Sequence, residues 1–346
     1  MTSVEPARLA QLQLLLTERC NLRCAHCAVP EETSPALSEL TGEDWARFLT
    51  VAIGAGIRTV VLSGGEALLR PDCIGIAEHA LCAGAESVVI VTNGTALPST
   101  TSERLANLQR HWPSLRVHVS LDGAGPESHD AIRGAGTFNR TMAGLSRLRA
   151  FGGRIDGMHT VLHRLNQHEL AALVALARSI GAQTWTVFPL AALGRGLDLD
   201  QLRLDDTAWR EVLAWFAESG PRDLDVGLMG PTLVDEWTDL SEIPLPRMMY
   251  SPQACVGPDG ACFTCPPLRA SAVGAVSDIT DGTPWETFDA RLRQQLEHAC
   301  PSCKYRPLCT GVDPTRTLFT QGVPIGEPSL PVPVLVRPGH SGGRSG

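Results

Sequence analysis

The sequence predicts an α/β protein in which six βα units build a parallel sheet, followed by a small cysteine-rich module. Three observations lead there. Between Gln11 and about Gly220, short runs rich in Val, Ile, Leu and Thr alternate with amphipathic stretches of helical period. Polar or glycine-containing turns follow each run. The eleven cysteines are also unevenly placed: Cys20, Cys24 and Cys27 crowd one end, six lie between Cys255 and Cys309, and only Cys73 and Cys82 fall between.

In chain order, the strands are expected at Gln11–Thr17, Thr59–Leu62, Ser87–Thr92, Arg116–Leu121, Met158–Leu162 and Thr184–Phe188. The clearest helical stretches between them are Asp44–Gly54, Thr137–Ala150 and Gln167–Ile180. Asn166, with Glu169 three residues on, reads as an N-cap with a capping-box partner. Successive βα units imply parallel strands, because each crossover helix returns the chain to start another. Periodicity alone leaves an open or partial barrel and a doubly wound sheet equally possible. In either, ligands collect at the carboxyl ends of the strands.

Residues 221–254 form a proline-containing bridge, 255–320 a cysteine-rich module and 321–346 a Pro, Gly and Ser-rich tail expected to be disordered; residues 1–10 precede the first strand. In the module, Pro284–Glu297 is the long helical stretch, with Thr283 as N-cap. Modules this small bury little apolar surface and usually fold around metal.

With 346 residues, 43% hydrophobic and 19% charged, the chain has apolar material for a core and is not disordered as a whole. A net charge of −8 and a pI near 5.7 argue against nucleic-acid binding. Lys304 is the only lysine, which reflects genome composition more than function. No run approaches the ~18 apolar residues of a membrane helix. The N-terminus lacks a signal-peptide pattern. The expected compartment is therefore the cytoplasm, where clustered cysteines point to metal rather than to disulfides.

Cys20-Asn-Leu-Arg-Cys24-Ala-His-Cys27 follows the first strand directly. Three thiolates at CX3CX2C spacing can grip three corners of a cubane and leave one iron open, whereas a [4Fe–4S] cluster is normally held by four cysteines. Zinc completed by His26 is the alternative, although zinc loops more often pair two distant CX2–4C units.

This loop resembles the signature of the radical S-adenosylmethionine (radical SAM) superfamily. In that family the open iron chelates SAM, and reductive cleavage yields a 5′-deoxyadenosyl radical that abstracts a substrate hydrogen. The family usually places an aromatic residue before the third cysteine, where this chain has His26. The second strand ends in Ser63-Gly64-Gly65-Glu66, which resembles the family's GGE motif. Two glycines let a backbone approach a ligand closely, and Glu66 supplies an anionic acceptor for the methionine ammonium. Asn93, in Val91-Thr92-Asn93-Gly94, resembles the family's TNG turn. Ser120 and Asp122, in Ser120-Leu121-Asp122-Gly123, resemble its ribose-contacting segment. Asn166, Arg133 and Arg195 are further candidates for ribose or methionine carboxylate, with structural salt bridges the competing role for the arginines. The resemblance implies a partial (β/α)6 barrel of the radical SAM type.

Cys255, Cys262, Cys265, Cys300, Cys303 and Cys309 form a second set. The run Cys300–Cys309, at CX2CX5C spacing, and the Pro258–Pro266 stretch resemble the SPASM extension of radical SAM peptide-modifying enzymes. Those extensions hold one or two auxiliary Fe–S clusters. A family cysteine is replaced by Asp313, and no cysteine follows Cys309. Six thiolates fall short of the eight that two fully ligated cubanes need. The set therefore fits two clusters completed by Asp313, water or substrate, or a single four-cysteine cluster; two CX2C pairs would also suit zinc. Cys73 and Cys82 read as small hydrophobes, with hydrogen donation to a substrate radical as the sharper role.

The resemblance implies an oxidoreductase using a [4Fe–4S] cluster and S-adenosyl-L-methionine, fed by a flavodoxin- or ferredoxin-type electron donor. Its expected substrate is a ribosomally synthesised precursor peptide, crosslinked, dehydrogenated or epimerised in antibiotic-type biosynthesis. The ten residues before Gln11 leave no space for a winged-helix leader-recognition domain, so a separate leader-recognition protein or direct core recognition is expected. The alternatives are a sugar or aminocyclitol intermediate as substrate, and a non-catalytic Fe–S or zinc scaffold.

Overall fold

Alternation of apolar and polar residues lays out the strands, and the structure, a computed structural model, describes residues 9–28, 38–191, 194–228, 247–248, 253–263 and 272–299. In β1 (Gln11–Leu15), β2 (Thr59–Ser63), β3 (Ser87–Thr92), β4 (Leu115–Ser120), β5 (Gly157–Leu162) and β6 (Thr184–Pro189), one set of alternate residues is fully covered. Leu12, Leu14, Val60, Leu62, Val88, Ile90, Val117, Val119, Met158 and Trp185 are all 0% exposed. The other set is mostly only partly buried and carries the polar side chains Gln11, Gln13, Ser63, His118, Ser120 and His159 among several valines.

The helices α1 (Gly42–Gly54), α2 (Cys73–Cys82), α3 (Ser99–His111), α4 (Pro126–Arg133), α5 (Thr137–Ala150), α6 (Leu170–Ile180) and α7 (Asp206–Ser219) follow β1 to β6 in turn, two of them after β4. Strands β1 to β6 lie side by side in sequence order, each parallel to the next. Right-handed crossovers that always step the same way put the helices on one face. That winding decides for the barrel type over the doubly wound sheet, whose strand order would reverse. The polar alternate set lines the other, concave face.

The sheet continues at both ends. Beyond β6 come β7 (Asp225–Leu228) and β8 (Arg247–Met248), both within the expected bridge. Beyond β1 lie β9 (Gln253–Val256), parallel to it, then β10 (Ala261–Phe263) and β11 (Gly274–Ala275), both antiparallel to their neighbours. The cysteine-rich segment thus begins as part of the same sheet. It ends, among the described residues, in α8 (Val276–Thr280) and α9 (Trp285–Ala299). Trp285 of α9 packs on Phe48 of α1, ring centroids 6.5 Å apart.

One capping expectation is corrected. Asn166 makes no side-chain cap to the turn at Gln167–Glu169. The Glu169 carboxylate instead accepts from Ala124 N at 2.9 Å and Ser128 Oγ at 2.7 Å, across the gap to the start of α4.

Candidate active site at the mouth of the sheet

The loop after β1 is seated from three sides. Leu16 N donates to Ser63 O at 2.9 Å, Gly65 N to Thr17 O at 2.7 Å and Glu66 N to Arg19 O at 2.9 Å. Gly64 has φ +134°, and a Cβ there would stand 2.4 Å from Thr17 O; one on Gly65 would stand 2.4 Å from Arg19 O. The two glycines therefore serve, first of all, the approach of this chain's own loop. On the second side, Ala25 N donates to Ile132 O of α4 at 2.7 Å. On the third, Arg195 N donates to Cys27 O at 3.0 Å and its Nε to Cys24 O at 2.8 Å. Gly194 (φ +52°) lies so close that a Cβ would stand 2.5 Å from Cys27 O.

The loop carries three free thiols: Cys20 exposed, Cys24 buried and Cys27 between the two. Burial pushes the Cys24 thiol up to about 11, against the opposing pull of Arg133. Burial raises Cys20 as well. Left to themselves Cys20 and Cys24 stay protonated at neutral pH; a bound cation would ionise them. Among the described residues, no three ligating side chains converge on a single-ion site. A cubane takes one thiolate per iron at separate corners, so it asks for no such convergence, and three thiols on one loop fit it.

Around the loop stand the other residues that the sequence singled out. Glu66 is buried; its Oε1 accepts from Leu68 N at 3.2 Å and Thr92 Oγ1 at 2.8 Å, and its Oε2 from Asn93 N at 2.7 Å. Burial raises its pKa, with those bonds opposing. Asn93 Nδ2 donates to Asn21 Oδ1 at 2.9 Å and lies 4.0 Å from Cys20 Sγ. Ser120 ends β4 opposite His159.

Asp122 is 0% exposed. Its Oδ1 accepts from Val161 N at 2.8 Å; its Oδ2 meets Arg133 Nε at 2.5 Å and His26 Nε2 at 3.4 Å. Burial alone would raise this carboxyl, yet Arg133 and His26 hold it well below the usual carboxylate range. Burial lowers His26 to about 4, so at neutral pH it is a neutral partner of Asp122.

Two expected cofactor contacts turn out to be engaged with the protein. Asn166 is 0% exposed; its amide donates to Asp122 O at 2.8 Å and Val161 O at 2.9 Å and accepts from His163 N at 2.8 Å. It clips the β4 and β5 ends together. Arg195, as above, holds the cysteine loop by its carbonyls.

The second cysteine set is divided by the sheet. Cys255 pairs with Gln13 across β9–β1, lies on the concave face against Leu15 and Phe263, and its thiol donates to Gln13 Oε1 at 3.8 Å. Cys262 pairs with Val256, so it points to the opposite face, where it joins the main core. Both are 0% exposed. Burial raises the Cys262 thiol far above its ordinary value. Cys255 and Cys262 thus lie on opposite faces of the sheet. Cys265, Cys300, Cys303, Cys309 and Asp313 lie outside the described residues. Cys73 is wholly buried in the core, and Cys82 is exposed on the far end of α2.

A group of histidines was not anticipated. His118 and His159 stack edge to face on the concave side, with Nδ1 of the first 3.0 Å from Nε2 of the second. His129 Nδ1 accepts from Asp122 N at 3.2 Å. The period-two pattern of β4 and β5 was the signal available, since it places His118 and His159 on the face opposite the covered valines.

A sheet wound in one direction, with three thiols, a buried acid and a buried arginine gathered at its carboxyl end, defines an α/β enzyme of iron–sulfur type. Residues 14–177 match the Radical SAM superfamily. The chain is 31% identical to an AdoMet-dependent heme synthase of Methanosarcina barkeri over 86% of this chain and 88% of that one. It is 34% identical to a PqqA peptide cyclase of Streptomyces rochei, over 75% and 70%. SuiB of Streptococcus suis, solved with the precursor peptide SuiA, shares the fold at a TM-score of 0.66 and 15% identity, over 92% of this chain and 74% of that one. The chain belongs to the radical SAM superfamily. That family's cofactors are a [4Fe–4S] cluster and SAM.

Proposed function

We propose that this enzyme modifies a ribosomally synthesised precursor peptide by crosslinking, dehydrogenation or epimerisation. The observation that carries the chemistry is the three-thiol loop, fixed by Gly64–Gly65, Ile132 and Arg195 at the open end of a polar concave face. Kinship to the PqqA peptide cyclase supports the substrate class. Bound at the mouth, a cluster and SAM would supply the radical chemistry that removes a hydrogen from the substrate.

The protein's part is to bind and orient. Cys20, Cys24 and Cys27 hold iron. Glu66, a buried acid with protein donors on both oxygens, offers its remaining lone pair on Oε2 to an ammonium. Ser63, Gly64, Gly65, Asn93, Ser120, Asp122 and Arg133 form the rest of the SAM site, and Asn166 and Arg195 brace its walls. The C-terminal cysteines other than Cys262 hold auxiliary Fe–S centres, and a flavodoxin- or ferredoxin-type protein supplies the electron. No helix among the described residues is long and apolar enough to cross a membrane; we place the enzyme in the cytoplasm.

Anaerobic reconstitution with iron and sulfide, then SAM and dithionite, tests the chemistry. Wild-type protein should form 5′-deoxyadenosine and Cys24→Ala should not; a wild type that forms none overturns the reading. A second reading, a small-molecule substrate, is favoured by the 31% identity to a heme synthase along most of both chains. Substrate-dependent growth of 5′-deoxyadenosine with a peptide encoded beside the gene, against a porphyrin, separates the two.

A further inference from the structure

The last turn of α4 docks on the cysteine loop through Ile132 O and Ala25 N, 2.7 Å apart, at the residue next to Cys24. The next residue is Arg133. Its guanidinium is buried, with 10% of the side chain exposed, and is aimed by one ion pair, Nε to Asp122 Oδ2 at 2.5 Å. Asp122 is itself fixed, because Val161 N holds its other oxygen at 2.8 Å. Asp122 Oδ2 also meets Nε2 of His26, the residue before Cys27, at 3.4 Å, so the pair touches the cysteine loop itself.

Buried charges act through little screening solvent, so their effect on a neighbouring redox group is large. Net charge, hydrogen bonding and exposure set the potential of an iron–sulfur centre. We infer that the Asp122–Arg133 pair sets the reduction potential of the centre held by Cys20, Cys24 and Cys27. Arg133 makes reduction easier by balancing the added electron; Asp122 opposes it and keeps the guanidinium beside the loop. Both are positioning residues here. The inference rests on the proposed cluster at that loop.

The test is a potentiometric titration of reconstituted full-length protein without SAM, followed by electron paramagnetic resonance. The signal to follow is the one that Cys24→Ala removes. Asp122→Asn should shift the potential upward and Arg133→Gln downward, each changing the reduced-to-oxidised ratio at fixed potential by about tenfold, or about 59 mV for one electron. Arg133→Lys keeps the charge and should stay near wild type. Should Arg133→Gln fail to hold iron, the sign in Asp122→Asn and the match of Arg133→Lys decide. Shifts of the same sign in Asn and Gln variants, or changes below about threefold, overturn the inference and leave the pair a structural clamp. A wild type with no such signal overturns the cluster itself, a separate result.

Discussion

Gly65 shows what one atom decides in this site. A Cβ there would meet two backbone oxygens, Arg19 O at 2.4 Å and Glu18 O at 2.6 Å, and backbone cannot step aside as a long side chain would. Overpacking of this kind costs about 1–3 kcal/mol. Gly65→Ala should therefore lower thermal stability and iron loading together, read by melting temperature and by iron per chain; an unchanged iron content would show that the loop does not depend on this seat. The need for glycine was legible in the sequence, but its partner was not. Whether the close neighbour is a ligand or the chain's own backbone depends on a contact between two strand ends that no local pattern encodes. Asn166 teaches the same lesson in reverse: its place after β5 was readable, and the carbonyls that engage its amide were not.

At the scale of elements, some elements were legible to the residue; the β-branched run Ser87–Thr92 and the helix Thr137–Ala150 fall where the sequence put them. Helix α4 was missed because eight residues, mostly polar, make too short a stretch for its period to stand out; Pro126 at its start and docking to the cysteine loop sustain it. β9 was missed for another reason. Its partner, β1, lies at the other end of the chain, as the Gln13–Cys255 contact shows with a separation of 242 residues. That strand changes the meaning of a motif. Cys262 and Cys265 read as a CX2C metal pair, but strand alternation turns Cys262 into the main core. Cys262→Val should keep the wild-type iron content and ultraviolet–visible spectrum, with stability within about 1.5 kcal/mol because the volumes are similar. Loss of iron from that variant would mean that the hairpin rearranges to bring Cys262 onto a metal.

The whole molecule separates a dry convex side, packed by helices, from a concave side that keeps polar groups for chemistry. That division has a consequence for acid stability. Burial lowers His118 and His129 to about 4 and His159 to about 3, against an ordinary value near 6.5. Burial favours the neutral ring, so each folded pKa lies below the unfolded one. Their contribution is complete above pH ~6.5 and is lost as the pH falls toward ~4, because the unfolded chain then binds protons that the folded one refuses. Each ring adds a slope of at most about 1.4 kcal/mol per pH unit within that window. Asp122 titrates below it, since its carboxyl is held low by Arg133 and His26. It therefore stays ionised while the rings titrate. Urea unfolding of the full chain at pH 7.5, 6 and 5 should show stability falling steadily with pH, and His118→Phe should flatten the curve. A wild-type stability unchanged between pH 7.5 and 5 would mean that water reaches these rings from the concave side, and that this face is wetter than its packing indicates.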